Sequence, residues 1–217
     1  MGPENRGGMS KNSTNAHRFT SYILQEIVHD AEIFFTKTPV SSFPPSERFE
    51  GGGVYGLYYQ GNFELYKAIS LTTVEEESLP IYVGKAVPAG WRTARIDTTS
   101  GTALFNRIRE HFRNIRQVEN LSPNNFKCKY MILDGDETGI IGPVEAHLIR
   151  KFQPLWNVII DGFGNHTPGK GRFNQAKSGW DVLHPGRAWA ARCMGKPPDY
   201  DGLVERIRAY VKVRGKG

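Results

Sequence analysis

A chain of 217 residues and 24.4 kDa, 39% hydrophobic, fits a single core, because single cores grow to roughly 250 residues before they split. An aromatic share of 12% excludes disorder over most of the length. Two cysteines, Cys128 and Cys193, exclude a disulfide framework and a multi-cysteine zinc site and point to a reducing compartment, while a net charge of +6 and a pI near 9.3 favour polyanionic partners, nucleic acid first.

Residues 1–18 are polar and rich in Gly, Asn and Ser, and are expected to form a flexible tail, with Met9 as an alternative start. This stretch has no apolar core of a signal peptide, and no run in the chain approaches the ~20 apolar residues of a membrane span, so the cytoplasm is the expected location. From Ser21 onward Leu24, Ile27, Val28, Ala31, Phe34 and Phe35 recur at helical spacing. Pro39, Pro44 and Pro45 end that helix. Gly51 to Gly53 then lead into a β-rich run, Val54 to Tyr59, and a second strand is predicted over 79–84. The polar segment between them, with Glu75-Glu76-Glu77, is expected to protrude.

Leu104, Ile108, His111 and Ile115 form the inward stripe of a helix whose other faces carry Arg107, Arg109, Arg113 and Arg116. A third strand is predicted over 126–133. A further helix, with Val144, Leu148, Ile149 and Phe152 inward, begins after Gly142-Pro143 and closes at Pro154. Residues 161–187 mix glycines with basic and aromatic residues and suggest a long functional loop rather than a core element. Leu203, Ile207, Tyr210 and Val211 mark a terminal helix.

Several familiar chemistries are excluded by spacing. The run Gly164 to Lys170 imitates a phosphate-binding loop, but Gly171 stands where Ser or Thr should hold Mg2+, so no nucleotide cofactor is expected. The six histidines show no zinc-ligand spacing. There is no Gly-x-Ser-x-Gly elbow, and no acidic residue stands two before a lysine as in common two-metal nucleases.

What remains is Gly53-Val54-Tyr55, Tyr82-Val83-Gly84, Arg107 with His111, Glu145 and Asn157. This set resembles the GIY-YIG nuclease superfamily, with Val in place of Ile in both name motifs. The runs Pro80 to Arg92, Arg107 to His111 and Asp161 to Gly169 look like one branch of type II restriction endonucleases, similar to prokaryotic enzymes that cut CCGCGG. The interval between Tyr55 and Tyr82 exceeds the superfamily's usual connection, but that branch carries an insertion there too.

The resemblance implies an α+β fold: a small mixed or antiparallel sheet flanked by helices, with helical extensions at both ends. It implies one nuclease domain over 19–217, an insertion at about 59–79 and a DNA-contacting loop at about 161–187. The catalytic set implied is Tyr55, Tyr82, Arg107, His111, Glu145 and Asn157. Glu145, the lone carboxylate, suits one divalent cation, Mg2+ with Mn2+ as a substitute; without its companions it reads as a surface carboxylate. Arg107 offers a planar charged fork for a phosphate.

Tyr55 is the candidate general base, with a nucleophile as the second option. Its ordinary pKa near 10 leaves about 0.1% phenolate at pH 7, so it needs help from a cation, Arg107 or His111, and mildly alkaline pH is expected to favour activity. Tyr82 is either an orienting hydroxyl or a buried strand tyrosine, His111 either a proton acceptor or a satisfied core histidine, and Asn157 either a phosphate ligand or a loop cap. Lys85 and Arg92 suit DNA backbone anchoring. His166, Lys170, Arg172, Gln175 and Lys177 are candidate readers of a GC-rich site. Cutting both strands of a palindrome implies a homodimer or a higher oligomer. A repair or homing nuclease and a non-catalytic DNA-binding protein are the competing readings.

Overall fold

A computed structural model describes residues 17–91, 101–169 and 172–214. The predicted tail therefore lies almost wholly outside the described residues, as do Arg92 and Lys170. Helix α1 (Tyr22–Lys37) precedes a two-residue strand β1 (Ser41–Ser42), β2 (Gly53–Tyr59), β3 (Tyr82–Ala86) and α2 (Ala103–Arg116). Then come β4 (Phe126–Ile132), α3 (Ile141–Phe152), the short α4 (Leu155–Val158) and α5 (Gly179–Leu183), and α6 (Tyr200–Arg214). The sheet runs β1-β4-β2-β3, every neighbouring pair antiparallel. The α+β architecture is as expected, and β1 is an addition that no pattern of two serines could announce.

Strand alternation sends side chains to two separate cores. On one face Tyr55, Leu57, Tyr59, Phe126 and Cys128 pack with Leu104, Ile108 and Ile115 of α2 and with residues of α4, α5 and α6. On the other, Val54, Val83 and Met131 meet Val28 and Phe35 of α1 and Val144 and Leu148 of α3. β2 is buried along its whole length because both neighbours are strands and both faces are covered. Its first residue must be glycine: Gly53 has φ +147°, and a Cβ there would lie 2.0 Å from the Met131 carbonyl oxygen.

Three expectations change. In α1 only Val28, Glu32 and Phe35 are buried, whereas Leu24, Ile27 and Phe34 are exposed, because the helix covers the sheet along one narrow stripe. The segment after β2 does not simply protrude. Glu75 to Glu77 are exposed, but Tyr66 is fully buried, and the buried Lys129 ammonium donates to the carbonyls of Thr36 at 2.7 Å and Glu75 at 2.9 Å, fastening the insertion to the end of α1.

Residues 161–187 are likewise no free loop. Phe163, Trp180, Leu183 and Arg187 are buried, and α5 starts at a Ser178 cap whose hydroxyl accepts from the Asp181 amide. Glycine content suggests a loop, but large aromatic rings stabilise by burial, so Phe163 and most of 178–187 fold onto the core while 165–167 and 174–176 stay exposed.

Candidate active site

Tyr55 projects from the middle of β2 toward α2, where its hydroxyl lies 2.5 Å from His111 Nε2, with both side chains fully buried. The Tyr82 ring, one strand away, stands 6.1 Å from that of Tyr55, and Phe163 stacks on the His111 imidazole at 4.4 Å. Burial pushes the Tyr55 phenol well above its ordinary value, reinforced by Tyr82 and opposed by Arg107. Burial holds His111 well below 6.5, and its neighbours Arg107, His166 and Arg187 add to this. Both partners are therefore neutral at rest. A neutral pair at this distance is a phenol donating to Nε2, which leaves the proton of the ring on Nδ1, and Nδ1 is buried without a partner among the described residues.

A second tyrosine–histidine pair shows what a purely structural arrangement looks like. Tyr66 Oη is 2.6 Å from His184 Nε2, His184 Nδ1 is 2.8 Å from Asn120 Oδ1, and Trp156 donates to Tyr66 at 3.1 Å. Every polar atom is used, and His184 is held neutral by burial and Arg187, its pKa at about 3. The Tyr55 pair lacks that closure. Buried polar atoms are satisfied in most folds; among the described residues the buried side-chain atoms without a partner are His111 Nδ1 and Trp180 Nε1, and the first of them sits beside a tyrosine.

Gly84 explains the glycine of the second motif. A Cβ there would meet Tyr55 Oη at 2.5 Å and Tyr82 Cε1 at 2.9 Å, so the Tyr55 ring lies across the backbone of β3 only because no side chain is there. Gly84→Ala is expected to displace the hydroxyl and lower the single-turnover cleavage rate by at least about 10²-fold, since misplacement of roughly an ångström costs that much, with DNA affinity preserved.

Arg107 is pre-positioned rather than free. It donates through Nη1 to Glu110 at 2.7 Å and lies 2.8 Å from His166 Nε2, while Nη2 donates to the Gly164 carbonyl at 2.8 Å. Glu110 in turn reaches His166 Nδ1 at 2.6 Å. Glu110 was absent from the predicted set, although its place three residues after Arg107 on a helix was the available signal.

Glu145 stands on α3, on the other side of β3 from Tyr55, and reaches the strand edge. There its Oε2 is 2.6 Å from the Lys85 ammonium, and its charge contributes to raising the Tyr82 phenol, after burial as the largest cause. The predicted residues Tyr55, Tyr82, Arg107, His111 and Glu145 thus gather around β3. An open cleft of about 500 Å³ lies beside this group and reaches it at Arg107, with Lys85, Asn106, Glu110, Arg113 and His166 also lining it. Oε2 of Glu145 already accommodates the ammonium of Lys85, which lines that cleft, and a carboxylate oxygen of this kind suits a hard divalent ion.

Lys85, expected on the DNA backbone, lines the cleft and pairs with Glu145. Asn157 uses both ends of its amide on Val83, accepting from its N–H and donating to its carbonyl, each at 2.8 Å. It clamps the edge strand that carries Tyr82, with both ends of the amide committed to that backbone. Of the predicted readers, Arg172 and Gln175 are exposed and Lys177 half-buried. Their segment is held by bonds from the Met194 and Gly195 amides to the Phe173 and Gln175 carbonyls.

Arg187 and Asp181, which no sequence signal picked out, hold this region. Their ion pair is 2.6 Å and fully buried; Ser178 donates to the other Asp181 oxygen, and Arg187 donates to the carbonyls of Gly162, Phe163 and Asn165 between the Trp180 and Trp189 rings. Asp181→Ala would leave the guanidinium buried and unpaired and is expected to lower unfolding free energy by about 3–5 kcal/mol in urea denaturation.

The family model for the Eco29kI GIY-YIG domain matches residues 47–211. The chain belongs to that family. It is a nuclease of the GIY-YIG restriction endonuclease branch, with DNA as its substrate. No curated protein sequence matches this GIY-YIG nuclease. The match begins after α1, the helix facing α3 on the second core. No helix among the described residues is long and apolar enough to cross a membrane.

Proposed function

We propose that this nuclease is a prokaryotic, cytoplasmic type II restriction endonuclease that hydrolyses both strands of a short GC-rich palindrome, with one Mg2+ per active site and Tyr55 as general base. The observation that carries this reading is the buried Tyr55–His111 contact with its orphaned Nδ1. Attacking water gives its proton to Tyr55 Oη while Tyr55 passes its own to His111 Nε2. The water oxygen forms the new bond to phosphorus, and the bond to the leaving oxygen breaks. The charge that appears on His111 is offset by the phosphates of bound DNA, so the low proton affinity of the empty site rises when substrate arrives. Tyr82 orients the water, and Arg107 faces the oxyanion.

Glu145 would hold the Mg2+, which when bound supplies charge neutralisation on the phosphate and the leaving oxygen. Mn2+, with the same preference for oxygen ligands, is the natural substitute. This relay revises the pH expectation. His111 is already neutral at pH 7 and Tyr55 need not ionise, so the rate is expected to be level from neutral to mildly alkaline pH instead of rising.

His166, Arg172, Gln175 and Lys177 are the proposed base readers, arginine and lysine matching guanine O6 and N7. One site per chain and two strands to cut call for a second copy. Ile23, Ile27 and Phe34 offer it an exposed apolar stripe on the side of α1 away from Val28 and Phe35. Phe34→Glu is expected to sediment as a monomer where the unaltered chain sediments as a dimer. Incubating plasmid DNA with the protein and Mg2+ tests the whole reading. Discrete fragments ending in one palindrome support it; random nicks, or intact DNA shifted in a gel, overturn it.

A further inference from the structure

Away from the cleft, a second cluster of chemistry-bearing side chains joins α1 to α3. Glu32 is buried, 7% exposed, between the two helices. Its two oxygens are divided among three neighbours. Oε1 lies 3.1 Å from the Lys151 ammonium, whereas Oε2 faces His147 Nε2 at 2.6 Å and His29 Nδ1 at 3.8 Å. The three ligand atoms of His29, Glu32 and His147 all lie within 4.8 Å of one another. Burial raises the Glu32 carboxyl, and the bonds from His147 and Lys151 outweigh that and hold it ionised.

We propose that His29, Glu32 and His147 form a binding site for a divalent transition metal of the zinc type, distinct from the catalytic cation at Glu145. Two imidazoles and one carboxylate are a zinc donor set, with water filling the fourth place. Ligand bonds of about 2.0–2.1 Å at a tetrahedral centre put donor atoms roughly 3.3–3.4 Å apart. The 2.6 Å contact must open and the 3.8 Å contact must close by modest amounts, which rotation of the exposed His29 ring allows. Lys151 on Oε1 leaves Oε2 to the metal and fixes the carboxylate plane, as outer partners of metal sites do.

His147 and Glu145 are two residues apart on one helix, so they project to opposite sides of α3. The sites also differ in kind: imidazole attracts zinc, while the carboxylate oxygen of Glu145 suits Mg2+. Bound metal would clip α1, which lies before the family-matched residues, to the helix that carries Glu145.

The test titrates the full-length, chelator-treated protein with CoCl2, followed by visible absorption, and with ZnCl2, followed by melting temperature. The unaltered chain should develop the intense band of tetrahedral Co2+ at one equivalent and melt at a higher temperature with Zn2+. Glu145→Gln should keep both responses, and Glu32→Gln and His147→Gln should lose them. Loss of outer partners alone weakens metal sites about 10- to 100-fold, so His29→Ala should weaken binding by at least roughly tenfold. His29 is on the surface, and that variant decides the matter if the other two fail to fold. Absence of the band in the unaltered chain, or equal affinity in His29→Ala, overturns the proposal.

Discussion

Tyr55→Phe is expected to bind cognate DNA as tightly as the unaltered enzyme and to cleave it roughly 10²–10⁴-fold more slowly, the usual worth of a positioned acid or base. Phe fits the buried slot against Gly84, so the ring stays where it is. What goes is the oxygen that receives the proton of water, together with its hydrogen bond to His111 Nε2. Leaving that nitrogen unpaired should cost about 1–3 kcal/mol of stability, too little to explain such a loss of rate. Single-turnover cleavage beside a gel-shift titration separates the two effects.

His111→Ala supplies the pH signature. With the relay intact, the histidine is neutral at and above pH 6.5 because its pKa is held well below that, so the rate falls only in acid. Without it, Tyr55 must work as free phenolate. Since its pKa lies well above 10, the phenolate fraction and the rate should climb about tenfold per pH unit through the neutral and alkaline range. A level profile in His111→Ala would remove the histidine from proton transfer.

Glu145→Gln is the second large loss expected, at least about 10³-fold in rate, because its carboxylate is the ligand proposed for the cation and charge stabilisation of this kind is worth that much. DNA binding should persist. The substitution leaves Lys85 without its partner, but Lys85 is exposed and such pairs contribute at most roughly 1 kcal/mol. The melting temperature should therefore hardly move while cleavage disappears. If Glu145→Gln retained cleavage, the metal anchor would have to be sought elsewhere.

Much of this was legible before any coordinates. The alternation of β2, the inward stripe of α2 and the Pro154 stop are local patterns, because strand and helix periods force apolar residues to recur on one face. The motifs carried Tyr55, Tyr82, Arg107, His111 and Glu145 without geometry. The stripe of α1 misled because apolar spacing shows that a helix is amphipathic but not how wide a surface awaits it. Composition misled for 161–187, where glycine-rich sequence holds a buried aromatic and ionic core.

The amino-acid sequence by itself determined which chemical groups are available and along which elements they lie. Only the tertiary structure decided which of them meet: that Tyr55 lies beneath Gly84 against His111, that Glu145 reaches β3 from the opposite face, that Asn157 is committed to Val83, and that Asp181 and Arg187 neutralise each other in the core. The reason is physical. Periodicity and propensity act over a few residues, whereas these contacts join segments tens of residues apart, and which donor finds which acceptor is settled by packing and desolvation once the sheet has closed.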